Sequence, residues 1–169
     1  MQRVMIIGAP GSGKSTLARA LGARLGLPVH HMDHIHHLPG WVQRPTPERI
    51  AMARAIEEQP AWVFEGGLSS TYATRTARAD LVVFLDLPVW QRLWRVGKRI
   101  WRYHGTVRPD MAPGCPEQVS FEFIWWIVST SRKNRARDAA VIAALPPGKG
   151  LTLRSQRQID RFLENPAAL

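Results

Sequence analysis

Gly8-Ala9-Pro10-Gly11-Ser12-Gly13-Lys14-Ser15, followed by Thr16, is a glycine-rich run that closes on Lys-Ser. An apolar segment, Arg3 to Ile7, precedes it and an apolar-periodic segment, Lys14 to about Leu25, follows. The run therefore sits where a buried strand turns into a helix. Its glycines let backbone N–H groups curl around an anion, and the helix N-terminus adds partial positive charge. Lys14 is placed to reach the β- and γ-phosphates of a nucleoside triphosphate, and the Ser15 hydroxyl to ligate Mg²⁺. Gly8 to Thr16 thus predict a nucleotide-phosphate grip, with ATP and Mg²⁺ as cofactors. A dinucleotide-binding pattern could start at Gly11-Ser12-Gly13, with Asp33 as its acid. That pattern wants glycine or alanine where Thr16 stands and makes no use of Lys14-Ser15, so it is rejected.

Other residues could act on what the loop holds. Asp33 and Glu65 each follow a predicted strand, at the carboxyl edge where an open α/β sheet binds ligands. One can hold Mg²⁺ through water while the other orients or deprotonates an acceptor hydroxyl. Asp86 also ends a strand, but Leu87-Pro88 after it marks a structural cap. Arg92, Arg95, Arg99 and Arg102 fall within an arc of about 80° on one helix. Val89, Leu93, Val96 and Ile100 fill the neighbouring arc and are expected to face the core. Some of the arginines are expected to clamp phosphates; a solvated basic face is the plain alternative. His104 to Pro116 is rich in glycine and proline and lacks periodicity, which predicts a mobile lid carrying Arg108, with Arg132 and Arg135 beyond it. A lid with arginines excludes water and neutralises charge, as phosphoryl transfer requires. Five of the six histidines cluster between His30 and His37. Strand alternation keeps them from converging, so they are expected to line the acceptor pocket rather than hold a metal.

The elements that must position these groups alternate. Strands are expected at Arg3 to Ile7, Leu27 to Met32, Ala61 to Glu65, Leu81 to Leu85 and Gly150 to Leu153. Helices are expected from Lys14 to about Leu25, from an N-cap at Thr46 to about Glu58, near Ser70 to Arg78, and from Pro88 to about Tyr103. A further helix is expected from Glu117 to Leu145, with a candidate break between Ser131 and Arg137, and Ser155 caps the last. Trp94, Trp125 and Trp126 fall in apolar helical runs where core packing is the default. Such alternation implies parallel pairing with helices on both faces. The expected fold is an α/β three-layer sandwich with a five-stranded parallel sheet and a short lid, one domain over 1–169.

The chain has 169 residues, a net charge of +10 and 45% hydrophobic content. One cysteine, Cys115, excludes an internal disulfide framework and suits a reducing cytoplasm. No segment reads as a signal peptide or a membrane span, and no membrane partner is expected. The positive charge suits an enzyme whose two substrates both carry phosphate, and nineteen arginines against four lysines favour that use. Nucleic acid is the less favoured partner for the same charge. There is no guanine-reading Asn-Lys-x-Asp, which argues against a GTPase. The partners expected are ATP and a small-molecule acceptor, on a monomer or homodimer.

These motifs, with His31-Met32-Asp33, Pro39-Gly40-Trp41-Val42, Trp62-Val63-Phe64-Glu65-Gly66, Leu85-Asp86-Leu87-Pro88 and the run from Arg108 to Glu117, give the chain its resemblance. It resembles the adenylate-kinase-related P-loop kinases, and most closely the branch known as DNA-topology-modulation proteins. The likeness implies ATP-dependent phosphoryl transfer to a nucleotide or small hydroxyl acceptor. By that likeness Glu65-Gly66 replaces the Asp-Gly that helps hold Mg²⁺, and Arg95 and Arg99 match a lid-hinge pair that contacts adenine and phosphates. Arg132 and Arg135 match arginines returning from the lid, and Asp33 matches the acid of shikimate-type kinases that faces acceptor and metal. The branch name also implies a DNA-associated ATPase as the alternative function, with a nucleotide-binding regulator as a further one.

Overall fold

Val4, Met5, Ile6 and Ile7 are all fully buried, so their strand has to lie inside the sheet with both faces covered. The computed structural model describes residues 1–117 and 119–166. Gln118, within the expected helix from Glu117, and the last three residues of the expected domain lie outside them. The central strand is β1 (Arg3–Gly8), in a five-stranded sheet ordered β2-β5-β1-β6-β7. The neighbours are β2 (Val29–His31), β5 (Trp62–Glu65), β6 (Leu81–Leu85) and β7 (Gly150–Leu153), and every pairing is parallel. Ile6 lies opposite Glu65, and His31 opposite Glu65 on the other side, so these strands end level with one another.

Alternation along β1 splits the core in two. Val4 and Ile6 pack with Leu17, Leu21, Ile159 and Phe162 of α1 (Lys14–Leu25) and α7 (Gln156–Glu164). Met5 and Ile7 pack on the opposite face, with Met32 and Ile35 of α2 (Met32–His36), Ala53 of α3 (Thr46–Glu57) and Tyr72 of α4 (Tyr72–Arg78). Ile142 of α6 (Phe121–Ala143) joins the second cluster. The α/β three-layer arrangement and all five strands are as the sequence implies.

Several boundaries differ, each for a local reason. The second strand is shorter than expected because Met32 already opens α2. The connection after it holds a small antiparallel ladder, β3 (His37–Leu38) with β4 (Val42–Gln43). Thr46 is not an N-cap: Pro45 precedes the first helical residue, and the Thr46 hydroxyl accepts from Arg49 at 2.6 Å. The helix expected from Glu117 starts at Phe121, capped by the Ser120 hydroxyl, and is unbroken through 131–137. Glu117 is drawn away instead, its N–H donating to Thr106 O at 2.8 Å. Trp94, Trp125 and Trp126 are not core residues; they are 63%, 72% and 46% exposed. Helix α5 (Val89–Tyr103) buries Val96 and Arg92 instead, turning its arginine side inward.

Gly66, just past β5, sits at φ +105°, and a Cβ there would lie 2.5 Å from Met32 Cβ. Gly66→Ala is expected to cost about 2–3 kcal/mol through left-handed strain and this clash. Urea unfolding measures it, and a loss under about 0.5 kcal/mol contradicts the packing described.

Candidate active site

The loop from β1 into α1 is shaped by what crowds it. Gly11 sits at φ +78°, and a Cβ there would fall 2.5 Å from the Arg92 carbonyl oxygen on α5. No side chain caps α1, whose N-cap is Gly13. Its first N–H groups lack intrahelical acceptors and face outward, the arrangement that binds an anion. The Ser12 hydroxyl is buried without a hydrogen-bond partner among the described residues, and Lys14 Nζ donates to Ala9 O at 3.3 Å. These unmatched donors at the mouth of a helix fit a polyphosphate.

Ser15 and Glu65 meet: the Ser15 hydroxyl donates to Glu65 Oε1 at 3.0 Å, and His31 Nδ1 lies 2.8 Å from the same oxygen. The level ends of β2 and β5 create this contact. Asp33 stands one turn into the chain after β2. Burial, and then the neighbouring Glu65 charge, push its carboxyl above the ordinary carboxylate range, while Lys14, Arg108 and His36 pull the other way. Lys14, Asp33, Glu65 and Arg108 therefore converge within electrostatic reach of one point.

The arginine stripe divides its work. Arg92 Nε donates to Leu87 O at 3.2 Å, and its Nη1 reaches Pro10 O at 3.4 Å, so it is a buried brace beneath the loop. Arg95 donates to Ser12 O at 3.0 Å and to Gln156 Oε1 at 2.7 Å, beside the phosphate loop and α7. Arg99 pairs with Glu117 at 3.0 Å; burial and the Arg108 charge lower its pKa. Arg102 is exposed.

The lid segment is packed down in this structure. Arg108 is buried, paired with Asp110 at 2.9 Å and with Glu117. Trp41 Nε1 donates to Pro116 O at 3.1 Å, and Gly40 N–H to Gly114 O at 2.9 Å. Met111, Ala112 and Cys115 form a small apolar cluster against Trp41. Nothing periodic in the sequence marks Trp41, Asp110 or Glu117 for these roles; the signal available was charge of both signs inside a non-repetitive loop.

Arg132 and Arg135 do not join Lys14 and Arg108. They line a cavity of about 440 Å³ with Phe84, Asp86, Ile142 and Arg154. Arg135 forks Asp86 at 2.7 and 2.9 Å, which holds the Asp86 carboxyl below its usual range. Among the histidines, His31 faces Glu65 and His36 Nε2 lies 2.8 Å from Gly67 O. No group of three or more His, Cys, Asp or Glu is placed to hold a metal ion among the described residues.

Beyond the end of β5 stand residues the sequence did not single out. The Tyr72 hydroxyl would lie 3.2 Å from a Cβ on Gly67 and donates to Asp138 Oδ1 at 3.4 Å. Burial and the Asp138 charge push the Tyr72 hydroxyl up to about 12, so it stays a donor. Arg137 pairs with Asp138 at 2.8 Å. Beneath them Arg75 is fully buried, donating to Gly66 O at 3.0 Å.

Burial raises the pKa of Asp138, and Arg137, Lys14 and Tyr72 only partly oppose it. A carboxyl with a raised folded-state pKa binds its proton more tightly in the native state, so its contribution to stability falls as pH climbs above the unfolded value. The stability of Asp138→Asn relative to the parent is therefore expected to rise as pH climbs above the unfolded carboxyl's range. A gap that is flat with pH, measured by urea unfolding, contradicts this environment.

Comparison with known proteins fits this geometry. No protein-family model matches the chain. Over 137 residues it is 30% identical to a shikimate kinase of Rhodococcus jostii (strain RHA1), spanning 72% of this chain and 77% of that protein. Its fold is that of the shikimate kinase from Acinetobacter baumannii solved in complex with shikimate. The TM-score is 0.63 at 17% identity, covering 97% of this chain and 89% of that one. It is also that of the deoxyadenosine kinase from M. mycoides solved with dCMP and dCDP, at TM-score 0.54 and 15% identity, covering 99% and 100%. With a relative at this identity over 72% of its length, the chain belongs to the shikimate kinase family of P-loop kinases.

Proposed function

We propose that this kinase transfers the γ-phosphoryl group of Mg-ATP to the hydroxyl of a small metabolite bound over Asp33, Gly66 and Gly67. The observation that carries the reading is the convergence of Lys14, Asp33, Glu65 and Arg108 at the carboxyl ends of β1, β2 and β5. Ser15 would ligate a magnesium ion, and Glu65 and Asp33 would hold it through water, a donor set suited to an ion that keeps most of its waters. A magnesium ion held there would supply charge neutralisation to the phosphate oxygens.

The chain's own groups do the rest. N–H groups from Gly11 to Thr16 grip the polyphosphate, and Lys14 follows the transferring group as its charge develops. Arg99 and Arg108 supply positive charge from the lid side, and Arg95 packs beside the nucleotide near α7. Asp33 accepts a hydrogen bond from the acceptor hydroxyl and aims its oxygen at phosphorus, a positioning role for which a buried carboxyl is suited. The packed lid keeps water from competing as acceptor.

A second reading, the DNA-associated ATPase of the topology-modulation branch, draws on one observation. Trp90, Trp94, Trp101 and Trp125 are each at least 63% exposed on a chain of charge +10, and aromatic rings beside basic residues can stack on bases. None of these rings joins the buried residues of α5 and α6, and the phosphate-loop contacts of α5 come from Arg92 and Arg95, so the kinase reading is preferred.

ADP release from Mg-ATP, measured across shikimate, other small polyols and hydroxy acids, nucleoside monophosphates and duplex DNA, tests the choice. One small acceptor should stimulate release strongly, and Lys14→Ala should lower that rate on the order of 10²–10³-fold with an unchanged melting temperature. Stimulation by DNA alone, or a Lys14→Ala variant of full activity, overturns the reading.

A further inference from the structure

Helix α6 meets the edge of the sheet through alanines. Ala136, Ala139 and Ala143 recur at spacings of three and four residues, so they share one side of the helix. Side chains this short do not fill the space beside Thr152 of β7, the edge strand, and the cavity of about 440 Å³ is what remains. Phe84 and Ile142 add apolar surface to it, and both belong to the core face opposite α1 and α7. The cavity thus lies across the sheet from α1, whose first turn forms the phosphate grip. A neighbouring cavity of about 310 Å³ shares Phe84, Asp86, Arg135 and Arg154 and extends as far as Ala9. The two adjoin at the Asp86–Arg135 pair and together make a groove with the volume of a small-molecule site, commonly about 300–1,000 Å³.

The charges around this groove do not balance. Arg132, Arg135 and Arg154 border it against a single carboxylate, that of Asp86. Asp86 is buried, whereas the guanidinium ends of Arg135 and Arg154 stay largely exposed. Arg135 commits Nε and Nη2 to Asp86, which leaves Nη1 without a partner among the described residues. Arg154 stands back from the same acid, its Nε at 3.6 Å. Arg132 is exposed and forms no ion pair or hydrogen bond among the described residues. A structural ion pair accounts for Asp86 with Arg135. It does not account for two further guanidinium groups gathered at an apolar cleft, where they repel one another until an anion arrives. Planar forked donors of this kind match the oxygens of a carboxylate or a phosphate.

We infer that this groove is a second ligand site, separate from the nucleotide grip, for an amphipathic anion. The ligand is an apolar ring or short chain bearing one carboxylate or phosphate group. The apolar part lies on the alanines, Phe84 and Ile142, and the anionic group meets Arg132, Arg154 and the free Nη1 of Arg135. The inference goes beyond the kinase reading and stands whether or not that reading holds.

The probe is 2-naphthoate, titrated into the whole chain by calorimetry and followed by NMR of alanine and isoleucine methyl groups. Saturable binding is expected with a dissociation constant on the order of 0.1 mM, within reach of a ligand of this size. Methyl resonances of Ala139, Ala143 and Ile142 should shift, and excess ADP should not displace the probe. The uncharged analogue 2-naphthylmethanol should bind at least about tenfold more weakly, as should 2-naphthoate to Arg132→Gln, a change that breaks no contact of the fold. Ala139→Phe, which fills the cleft, should abolish probe binding.

Four results overturn the inference. They are no saturation below about 1 mM, displacement by ADP, shifts confined to tryptophan indoles, and undiminished affinity in both variants. Should Ala139→Phe fail to fold, Arg132→Gln and the uncharged analogue decide the matter, since a merely hydrophobic cleft binds both naphthalenes alike.

Discussion

The backbone of Gly11 lies against the Arg92 carbonyl of α5, closer than any side chain would allow, and much of the molecule is keyed to that approach. It presses the phosphate loop onto a helix that itself reaches back through Arg92 to Pro10 O and to the Ser131 hydroxyl of α6. The loop, α5 and α6 therefore form one braced unit at the carboxyl end of the sheet. Arg95 and Arg99, one and two turns along α5, inherit their places from this bracing. Arg95 comes to rest on the loop carbonyl of Ser12, and Arg99 on the acid that closes the lid segment. A helix whose polar stripe faces inward has to present its apolar residues elsewhere, which is why Trp90, Trp94 and Trp101 look outward.

On the other side of β1 the governing contact is the Ser15–Glu65–His31 chain. Three residues from α1, β5 and β2 share one carboxylate oxygen because parallel strands end level and α1 starts immediately above them. Asp33 is placed one element further on, close enough to feel the Glu65 charge. The acids of this region are each met by cations: Lys14 and Arg108 act on Asp33, Arg19 and Arg108 pair with Asp110, and Arg99 and Arg108 with Glu117. Four of the chain's 23 lysines and arginines are engaged in this way. That gives the arginine excess over lysine a physical use, since fork-shaped donors can satisfy two acids at once, as Arg108 does with Asp110 and Glu117.

What could be read from the sequence follows the range of the interaction involved. The phosphate loop is local: eight consecutive residues with the right flanks define it, and the strands on either side are continuous apolar runs. Asp33 and Glu65 were legible because position at a strand end is also local. The lid segment itself was legible from its glycines and prolines, but its fastening was not, since Trp41 meets Pro116 across 75 residues and Arg99 meets Glu117 across 18 with no periodic pattern to announce either. Arg135 could not be assigned from its own neighbourhood because its partner, Asp86, is 49 residues away and captures the guanidinium outright. The tryptophans mislead for a related reason. An apolar helical run implies burial only when the helix turns that side toward the core, and α5 is turned by its arginines.

Transfer to a hydroxyl, rather than hydrolysis, is the claim on which the account stands. Time-resolved phosphorus NMR of the protein with Mg-ATP and its stimulating acceptor observes the fate of the γ-phosphoryl group directly. A new phosphate-monoester resonance growing in step with ADP, with little inorganic phosphate, is the expected result. ADP accompanied only by inorganic phosphate would contradict it, leaving a phosphate grip that activates water rather than a kinase.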